Sequence, residues 1–113
     1  MAKLRLRIDL DPGGAVGPGK IALLERIDRL GSISAAGREM RMSYRRAWEL
    51  VDSINRCFSE PAVSTQLGGA SGGGASLTPF GHQLVKHFRA MEKKAQRVAA
   101  SHLEVLQSAC PKP

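Results

Sequence analysis

Aromatic residues and cysteines are scarce in this 113-residue sequence. Three Phe, one Tyr and one Trp make up 4% of the chain, so no stacking platform of the kind used by RNA-recognition modules is present. Cys57 and Cys110 form no CxxC pair and share no metal-like spacing with the histidines. They predict free thiols in a reducing compartment, and no metal site. The N-terminus has no signal-peptide run, and no apolar stretch reaches membrane-span length. We therefore expect a cytoplasmic protein without membrane contact.

Acidic residues are also few, ten against 17 Lys and Arg, which gives a formal charge of +7. Such a charge favours polyanions: DNA, RNA or an anionic membrane face. No nucleophile–base pair, metal triad or pair of catalytic carboxylates forms a recognisable motif, so we expect neither an enzyme nor a cofactor. The length predicts one domain over residues 1–113.

The first 30 residues predict a strand followed by a helix. KLRLRIDL alternates strictly between apolar and polar residues over positions 3–10, which is typical of a half-buried strand. DPGGAVGPG then breaks the pattern. From Lys20 to Leu30 the apolar residues recur at helical spacing, and Gly31 lies where a helix C-terminus prefers glycine.

Residues of about 33–56 predict two helices joined by a tight turn. Ser32 and Ser34 offer N-cap oxygens for the first, and Ser43 offers one for the second. The apolar face of the second helix comprises Ala47, Val51, Ile54 and Phe58. This arrangement, with donors crowded at the start of the second helix, predicts a helix-turn-helix.

The rest of the chain predicts a hairpin and a long helix. AVSTQL and ASL predict two strands joined by GGASGGG, and this hairpin would be the wing, over about 62–77. Thr78 and Pro79 then predict the start of a helix over about 78–107. Its apolar residues follow a heptad seam, from which we expect a homodimer: Leu84, Phe88, Met91, Ala95, Val98 and Val105. The predicted fold is mainly α with a small β hairpin: a winged helix-turn-helix with an N-terminal strand and a long C-terminal dimerisation helix.

Donor side chains near the turn predict contacts with double-stranded DNA. Arg45 and Arg46 can reach guanine acceptors or phosphates. Ser43 and Tyr44 can bond phosphate oxygens, and Arg38 and Arg41 flank them where backbone phosphates pass. For Trp48, contact with DNA and packing under the wing both stay open. The predicted set is Ser34, Arg38, Arg41, Ser43, Tyr44, Arg45, Arg46 and Trp48. The glycines predicted to let the wing approach a phosphate are Gly68, Gly69, Gly72, Gly73 and Gly74.

GSISAAGREMRMSYRRAWELVDSIN, LGGASGGGASLT and PFGHQLVKHF resemble the N-terminal DNA-binding domain of ModE-type molybdate-responsive transcriptional regulators. A more distant similarity links them to the winged helix of LysR-type regulators. The resemblance covers the leading strand and about Gly17 to Gln96. It implies operator binding through the helix that begins at Ser43, and pairing of subunits through the last helix. Ser43, Tyr44, Arg45, Arg46 and Trp48 fall on the family's recognition-helix motif.

The chain departs from the family pattern at three places. Ala70 and Ser71 stand where members often carry a basic residue in the wing, which weakens the expected phosphate contact. Arg41 stands where the turn often has glycine, which predicts a strained or differently shaped backbone. Full-length members continue into oxyanion-binding domains, whereas this sequence stops at Pro113. We therefore expect no molybdate binding by this chain.

Two other functions remain to be distinguished from a DNA-binding regulator. A winged helix can serve as a protein-interaction module or accessory subunit, which predicts an apolar or acidic recognition face. An RNA-binding variant shares the phosphate electrostatics. The arginine-rich stretch and the resemblance favour the dimeric regulator.

Overall fold

A computed structural model of the chain describes residues 1–66 and 74–113. The elements are β1 (Ile8–Asp9), β2 (Ala15–Val16), α1 (Pro18–Leu30), α2 (Ile33–Glu39), α3 (Tyr44–Cys57), β3 (Val63–Gln66), β4 (Gly74–Leu77) and α4 (Pro79–Ser108). β1 pairs with β2 and β3 with β4, both antiparallel, in two separate sheets. The fold is a mainly α winged helix-turn-helix with a long last helix, as the sequence predicted.

α1 is the central helix of the domain. Ile21, Leu23, Leu24 and Ile27 are completely buried, and the helix contacts α2, α3, α4 and β4. It begins at Pro18, two residues before the predicted start, because proline suits the first helical position, whose N–H needs no partner. Gly31 ends it as predicted, with a φ of 69° and its N–H bonded to the Ile27 carbonyl at 2.8 Å.

The prediction of a leading strand over residues 3–10 was wrong in length. β1 contains only Ile8 and Asp9, which pair with Val16 and Ala15. The segment that breaks the alternation thus supplies a two-residue partner strand, and a ladder cannot extend past its partner. The residues before β1 approach α4 instead, where the Leu4 N–H donates to Gln96 Oε1 at 2.9 Å. We call residues 7–16, which are the two strands, their turn and the residue before β1, the N-terminal hairpin.

The second hairpin and the start of α4 close the core from the other end. β3 and β4 run in register from Val63 opposite Leu77 to Gln66 opposite Gly74. Thr78 Oγ1 caps α4 by accepting the Gly81 N–H at 3.0 Å. A Cβ on Gly81 would lie 2.1 Å from the Ala62 carbonyl oxygen, so only glycine allows α4 to pack this closely on the hairpin.

An ion-pair network fastens α4 to α1. Arg89 donates to both carboxylate oxygens of Glu25, at 2.5 and 3.1 Å, and to Glu92 at 2.7 Å. The bonds to Glu25, and then those to Glu92, raise the pKa of the guanidinium. A bidentate pair of this kind fixes the relative orientation of the two helices.

Candidate nucleic-acid interface

The turn between α2 and α3 contains a left-handed residue. Arg41 has a φ of 59°, and it is the non-glycine residue with a positive φ among those the structure describes. Its N–H bonds the Arg38 carbonyl, and the Met42 N–H bonds the Gly37 carbonyl, both at 3.0 Å. The left-handed conformation reverses the chain within three residues, at a cost of order 1 kcal/mol for a residue with a Cβ. The backbone at Arg41 is thus unusual, as the departure from the family pattern predicted.

α2 and α3 approach each other closely at Gly37. A Cβ on Gly37 would lie 2.8 Å from the Ala47 Cβ, which is nearer than side chains tolerate. Ser32 caps α2 by accepting the Ala35 N–H at 3.1 Å, so Ser34 lies inside that helix and is half-buried. Of the two predicted cap residues, Ser32 has the role.

Ser43 caps the start of α3, as the sequence predicted. Ser43 Oγ accepts the Arg46 N–H at 3.0 Å and so satisfies one of the unpaired amides of the first turn. Tyr44, Arg45 and Arg46 follow with exposed side chains. The buried side of the helix comprises Ala47, Val51 and Ile54, as predicted. Phe58 lies beyond the helix end, where its ring contacts Phe80 with centroids 4.9 Å apart.

Two hairpins flank α3 on opposite sides. Asn55 Oδ1 accepts the N–H groups of Ala62 and Val63 at 2.8 and 3.1 Å, which joins α3 to the base of the β3–β4 wing. Ser53 Oγ accepts from Lys20 Nζ at 3.0 Å, and the same ammonium bonds the Ala15 carbonyl in the N-terminal hairpin. Ser53 and Asn55 are two residues apart, so their side chains point about 200° apart around the helix axis. The exposed face of α3 therefore lies between the wing and the N-terminal hairpin.

The exposed face of α3 carries charges of both signs, which form ion pairs along the helix. Arg45 pairs with Glu49 at 3.0 Å, and Arg56 pairs with Asp52 at 3.0 Å. The Arg45 side chain is 90% exposed, and exposed ion pairs contribute less than about 1 kcal/mol. Arg45 can therefore exchange Glu49 for another acceptor. Over residues 1–66 and 74–113, Arg38 and Arg41 form no ion pair, and both are exposed.

The Trp48 side chain is partly exposed at the surface of α3. Its ring is edge-on to Tyr44, with centroids 6.1 Å apart, and the residue is 38% exposed. The two polar aromatics form one exposed pair on the first two turns of α3. Both alternatives from the sequence, contact with DNA and packing under the wing, stay predictions, because residues 67–73 of the wing lie outside the described residues.

Gly68, Gly69, Gly72 and Gly73 lie outside the described residues. Gly74 opens β4, where a Cβ would lie 3.3 Å from the Gly31 carbonyl oxygen. The next residue, Ala75, donates its N–H to that same oxygen at 3.0 Å. The contact of Gly74 is thus with the end of α1, a role the sequence did not predict.

The predicted heptad seam divides into a buried and an exposed part. Phe88 is completely buried in the core of its own domain, and Leu84 packs against that core. Phe88 is therefore a core residue, and its prediction as a subunit contact was wrong. Ala95 is half-buried, whereas Met91, Val98 and Val105 are 42%, 81% and 69% exposed. These last three, seven residues apart, form the exposed seam.

The sequence did not single out Arg7 or Asn55 as neighbours of α3. Arg7 lines one groove together with Arg46, although 39 positions separate them in the chain. Asn55 gave a local signal, as a polar residue beside the buried Ile54, but its partners lie across a loop. Both contacts depend on how distant segments pack.

Within the described residues, no helix is both long enough and apolar enough to span a membrane. No group of three or more His, Cys, Asp or Glu side chains in those residues is placed to hold a metal ion.

Comparison with known proteins shows relatives for most of this chain. It is 40% identical over 92 residues to the molybdenum transport protein ModE of Azotobacter vinelandii, covering 81% of this chain and 34% of that protein. It is 42% identical over 89 residues to the molybdenum-pterin-binding protein MopB of Rhodobacter capsulatus, covering 79% and 33%. The DNA-binding transcriptional dual regulator ModE of Escherichia coli K12 matches at 30% over 96 residues, covering 85% and 37%.

The chain is a homologue of the ModE-type regulators. It spans about a third of the length of the curated relatives it matches. No family model matches it. The homology confirms the resemblance that the sequence showed, and ModE-type relatives are named as transcriptional regulators.

Proposed function

We propose that this chain is a dimeric, sequence-specific DNA-binding transcriptional regulator whose α3 enters the major groove. The proposal rests on the first turn of α3. This turn exposes Tyr44, Arg45 and Arg46 to solvent, while the opposite side of the helix packs in the core. A helix presented in this way fits a groove about 12 Å wide. The charge of +7 attracts the duplex before any base is read.

Each exposed donor has a role in this proposal. Arg45 and Arg46 hydrogen-bond base edges, with guanine as the natural acceptor of a guanidinium fork. Tyr44 and the Ser43 hydroxyl, which can still donate while it caps the helix, bond phosphates. Arg38 and Arg41 bond phosphates on the α2 side of the groove.

The charge pattern of α3 favours DNA over a protein-interaction module. Such a module predicts an apolar or acidic face, whereas the first turn of α3 carries two arginines and no acid. The names of the ModE relatives point to regulation of transcription, and no enzymatic activity is proposed.

Two arginines on α3 provide a matched pair for a test of base recognition. Arg45 and Arg56 both form an i, i+4 ion pair at 3.0 Å, but Arg45 lies in the first turn and Arg56 in the last. On a duplex enriched from genomic DNA, Arg45→Ala should lose about 1–3 kcal/mol of binding free energy and relax specificity. Arg56→Ala should change binding little. Equal losses for both variants, on enriched and random duplexes alike, would contradict recognition by the N-terminal turn.

The exposed seam of α4 supports the dimer. Met91, Val98 and Val105 recur every seven residues on a helix half with little cover from its own domain. A second copy of α4 is the simplest cover, because a heptad seam is complementary to itself. Two recognition helices would then meet half-sites about 34 Å apart on one face of a pseudo-palindromic duplex.

Val98→Asp tests the dimer because it places a charge in the middle of the exposed seam. The variant should sediment as a monomer where the unaltered chain sediments as a dimer, and it should lose the paired footprint. Lys86→Asp, a charge reversal at an exposed α4 position off the seam, should leave the dimer intact. A monomeric unaltered chain at micromolar concentration would refute this part of the proposal.

We also propose that residues 1–113 do not bind molybdate themselves. Selection of an oxyanion needs buried donors that replace its hydration shell. Among the described residues, no polar or charged residue is buried. Titration calorimetry should therefore show no saturable heat with molybdate, and DNA binding should be the same with and without it. A micromolar response that prefers molybdate over sulfate would contradict this.

A further inference from the structure

The N-terminal hairpin lies beside the recognition helix on the side opposite the β3–β4 wing. Its base lies near one end of α3 and its turn near the other. At the base, Arg7 and Arg46 line one groove together with the Gly17–Gly19 segment that begins α1. At the turn, a Cβ on Gly14 would lie 2.6 Å from Cys57 Sγ, in the last turn of α3. The hairpin is therefore aligned along the helix, with Arg7 at the helix N-terminal end.

This alignment decides which charges of the hairpin face DNA. The N-terminal residues of a recognition helix contact the bases, so the end of the hairpin that carries Arg7 lies on the DNA side. Asp11 belongs to the turn, at the far end of α3. The residues that line the groove include Arg7, Lys20 and Arg46 and, over the described part of the chain, no acidic residue.

The arginines in this groove have donors to spare. Arg7 uses its Nε–H for Asp9 Oδ1 at 3.1 Å, while its side chain stays 74% exposed. The two terminal nitrogens of a guanidinium carry four further N–H donors. Arg46 has an acidic neighbour, Glu49, only at 3.9 Å. Lys20 is instead occupied by the Ala15 carbonyl and Ser53, so it positions the hairpin on α3.

We propose that the N-terminal hairpin is a second wing, in which Arg7, with Arg46 beside it, holds the DNA phosphate backbone on the side of α3 opposite the β3–β4 wing. This inference rests on the proposed function and adds a contact that the recognition-helix motif does not contain. The exposed face of α3 would then be bracketed by backbone contacts on both sides. Such contacts fix the register of the helix in the groove without reading sequence.

Salt dependence of binding gives a direct measure of this contact. Each neutralised phosphate contributes about −0.9 to the slope of log K against log salt. Arg7→Gln should therefore flatten the slope by about 1 and weaken binding roughly five- to tenfold at 0.1 M salt, equally on enriched and random duplexes. Lys3→Gln is the matched control. It removes the same charge from the same segment, but Lys3 lines a groove against α4 with Gln96.

A double variant distinguishes a phosphate contact from simple neutralisation of Asp9. If Arg7 only neutralises the Asp9 carboxylate, Arg7→Gln/Asp9→Asn should regain the affinity and slope of the unaltered chain. If Arg7 holds a phosphate, the double variant should keep the flattened slope. Ethylation interference locates the contacted phosphate. Ethylation of one flanking phosphate should weaken DNA binding by the unaltered chain but should not weaken binding by the Arg7→Gln variant.

The two proposals fail in different ways. If the unaltered chain binds no duplex DNA, or binds the enriched duplex no more tightly than a random one, the proposed function is refuted. If the unaltered chain binds specifically and Arg7→Gln keeps its slope, or the double variant restores it, the second wing alone is refuted. A flattened slope for both Arg7 variants, with Lys3→Gln unchanged, supports the second wing.

Discussion

α1 and α3 are helices of nearly equal length, 13 and 14 residues, with opposite positions in the fold. α1 is surrounded and buries four aliphatic side chains completely. α3 is held from one side, by Ala47, Val51 and Ile54, and leaves its remaining circumference to solvent and to the two hairpins. The first helix stabilises the domain and the second is presented by it.

This difference separates stability from binding. Truncation of a buried α1 side chain removes contacts with several elements, whereas truncation of an exposed α3 side chain removes contacts with none. Substitutions in α1 should therefore change the free energy of unfolding, and substitutions at the start of α3 should change DNA affinity. Four predictions test this separation, from the largest expected effect to the smallest.

Leu24→Ala should lower the free energy of unfolding by about 2–5 kcal/mol, because Leu24 is completely buried at the centre of α1. Leu30→Ala makes the same truncation at the exposed end of the same helix, and should cost less than about 1 kcal/mol. Urea denaturation measures both. Similar losses for the two variants would show that α1 is not the centre of the core.

Gly37→Ala should destabilise the domain by about 1–3 kcal/mol, because the new Cβ would lie 2.8 Å from the Ala47 Cβ and force α2 from α3. DNA affinity should fall with it, since α3 would tilt. Gly19→Ala is the counterpart in α1: nothing lies within 4 Å of its Cβ, so it should be neutral or stabilise by up to about 1 kcal/mol. Thermal unfolding of both variants checks the contrast.

Ser32→Ala and Ser43→Ala each remove a cap bond, of 3.1 and 3.0 Å, and should each cost about 1 kcal/mol of stability. DNA affinity should distinguish them. Ser43→Ala should weaken binding beyond its effect on folding, because Ser43 begins the helix proposed to enter the groove. Equal DNA affinities for two equally destabilised variants would place the interface elsewhere.

Arg41→Gly should move stability and binding in opposite directions. Glycine adopts the φ of 59° without a Cβ penalty, so the free energy of unfolding should rise, by at most about 1 kcal/mol. Loss of the guanidinium should weaken binding to every duplex and flatten the salt dependence by about 1. A variant that is less stable than the unaltered chain would contradict the strain argument.

Local patterns were sufficient where one element decides the outcome. Ser43, Thr78 and Gly31 cap or end the predicted helices because a cap needs only its own first or last turn. The buried residues Ala47, Val51 and Ile54 follow from helical periodicity alone. The unusual backbone at Arg41 was likewise predictable, because the family resemblance marked the position.

Patterns failed where a partner from elsewhere in the chain decides. Alternation over residues 3–10 predicted a long strand, but strand length depends on the partner, and only Ala15 and Val16 pair with it. The heptad spacing of α4 could not separate Phe88, which the domain buries, from Val98, which it leaves exposed. One seam therefore contains core residues and surface residues.

The sequence by itself determined the order of the four helices and the wing, the caps at Gly31, Ser43 and Thr78, the arginine-rich start of α3 and the basic charge, because these are properties of composition and of adjacent residues. Only the tertiary structure decided which part of α4 remains exposed, that Asn55 holds the wing, and that Arg7 lies in the groove of Arg46. These outcomes join residues that are distant in the chain, and they follow from how closely packed elements exclude or admit one another, which no local pattern records.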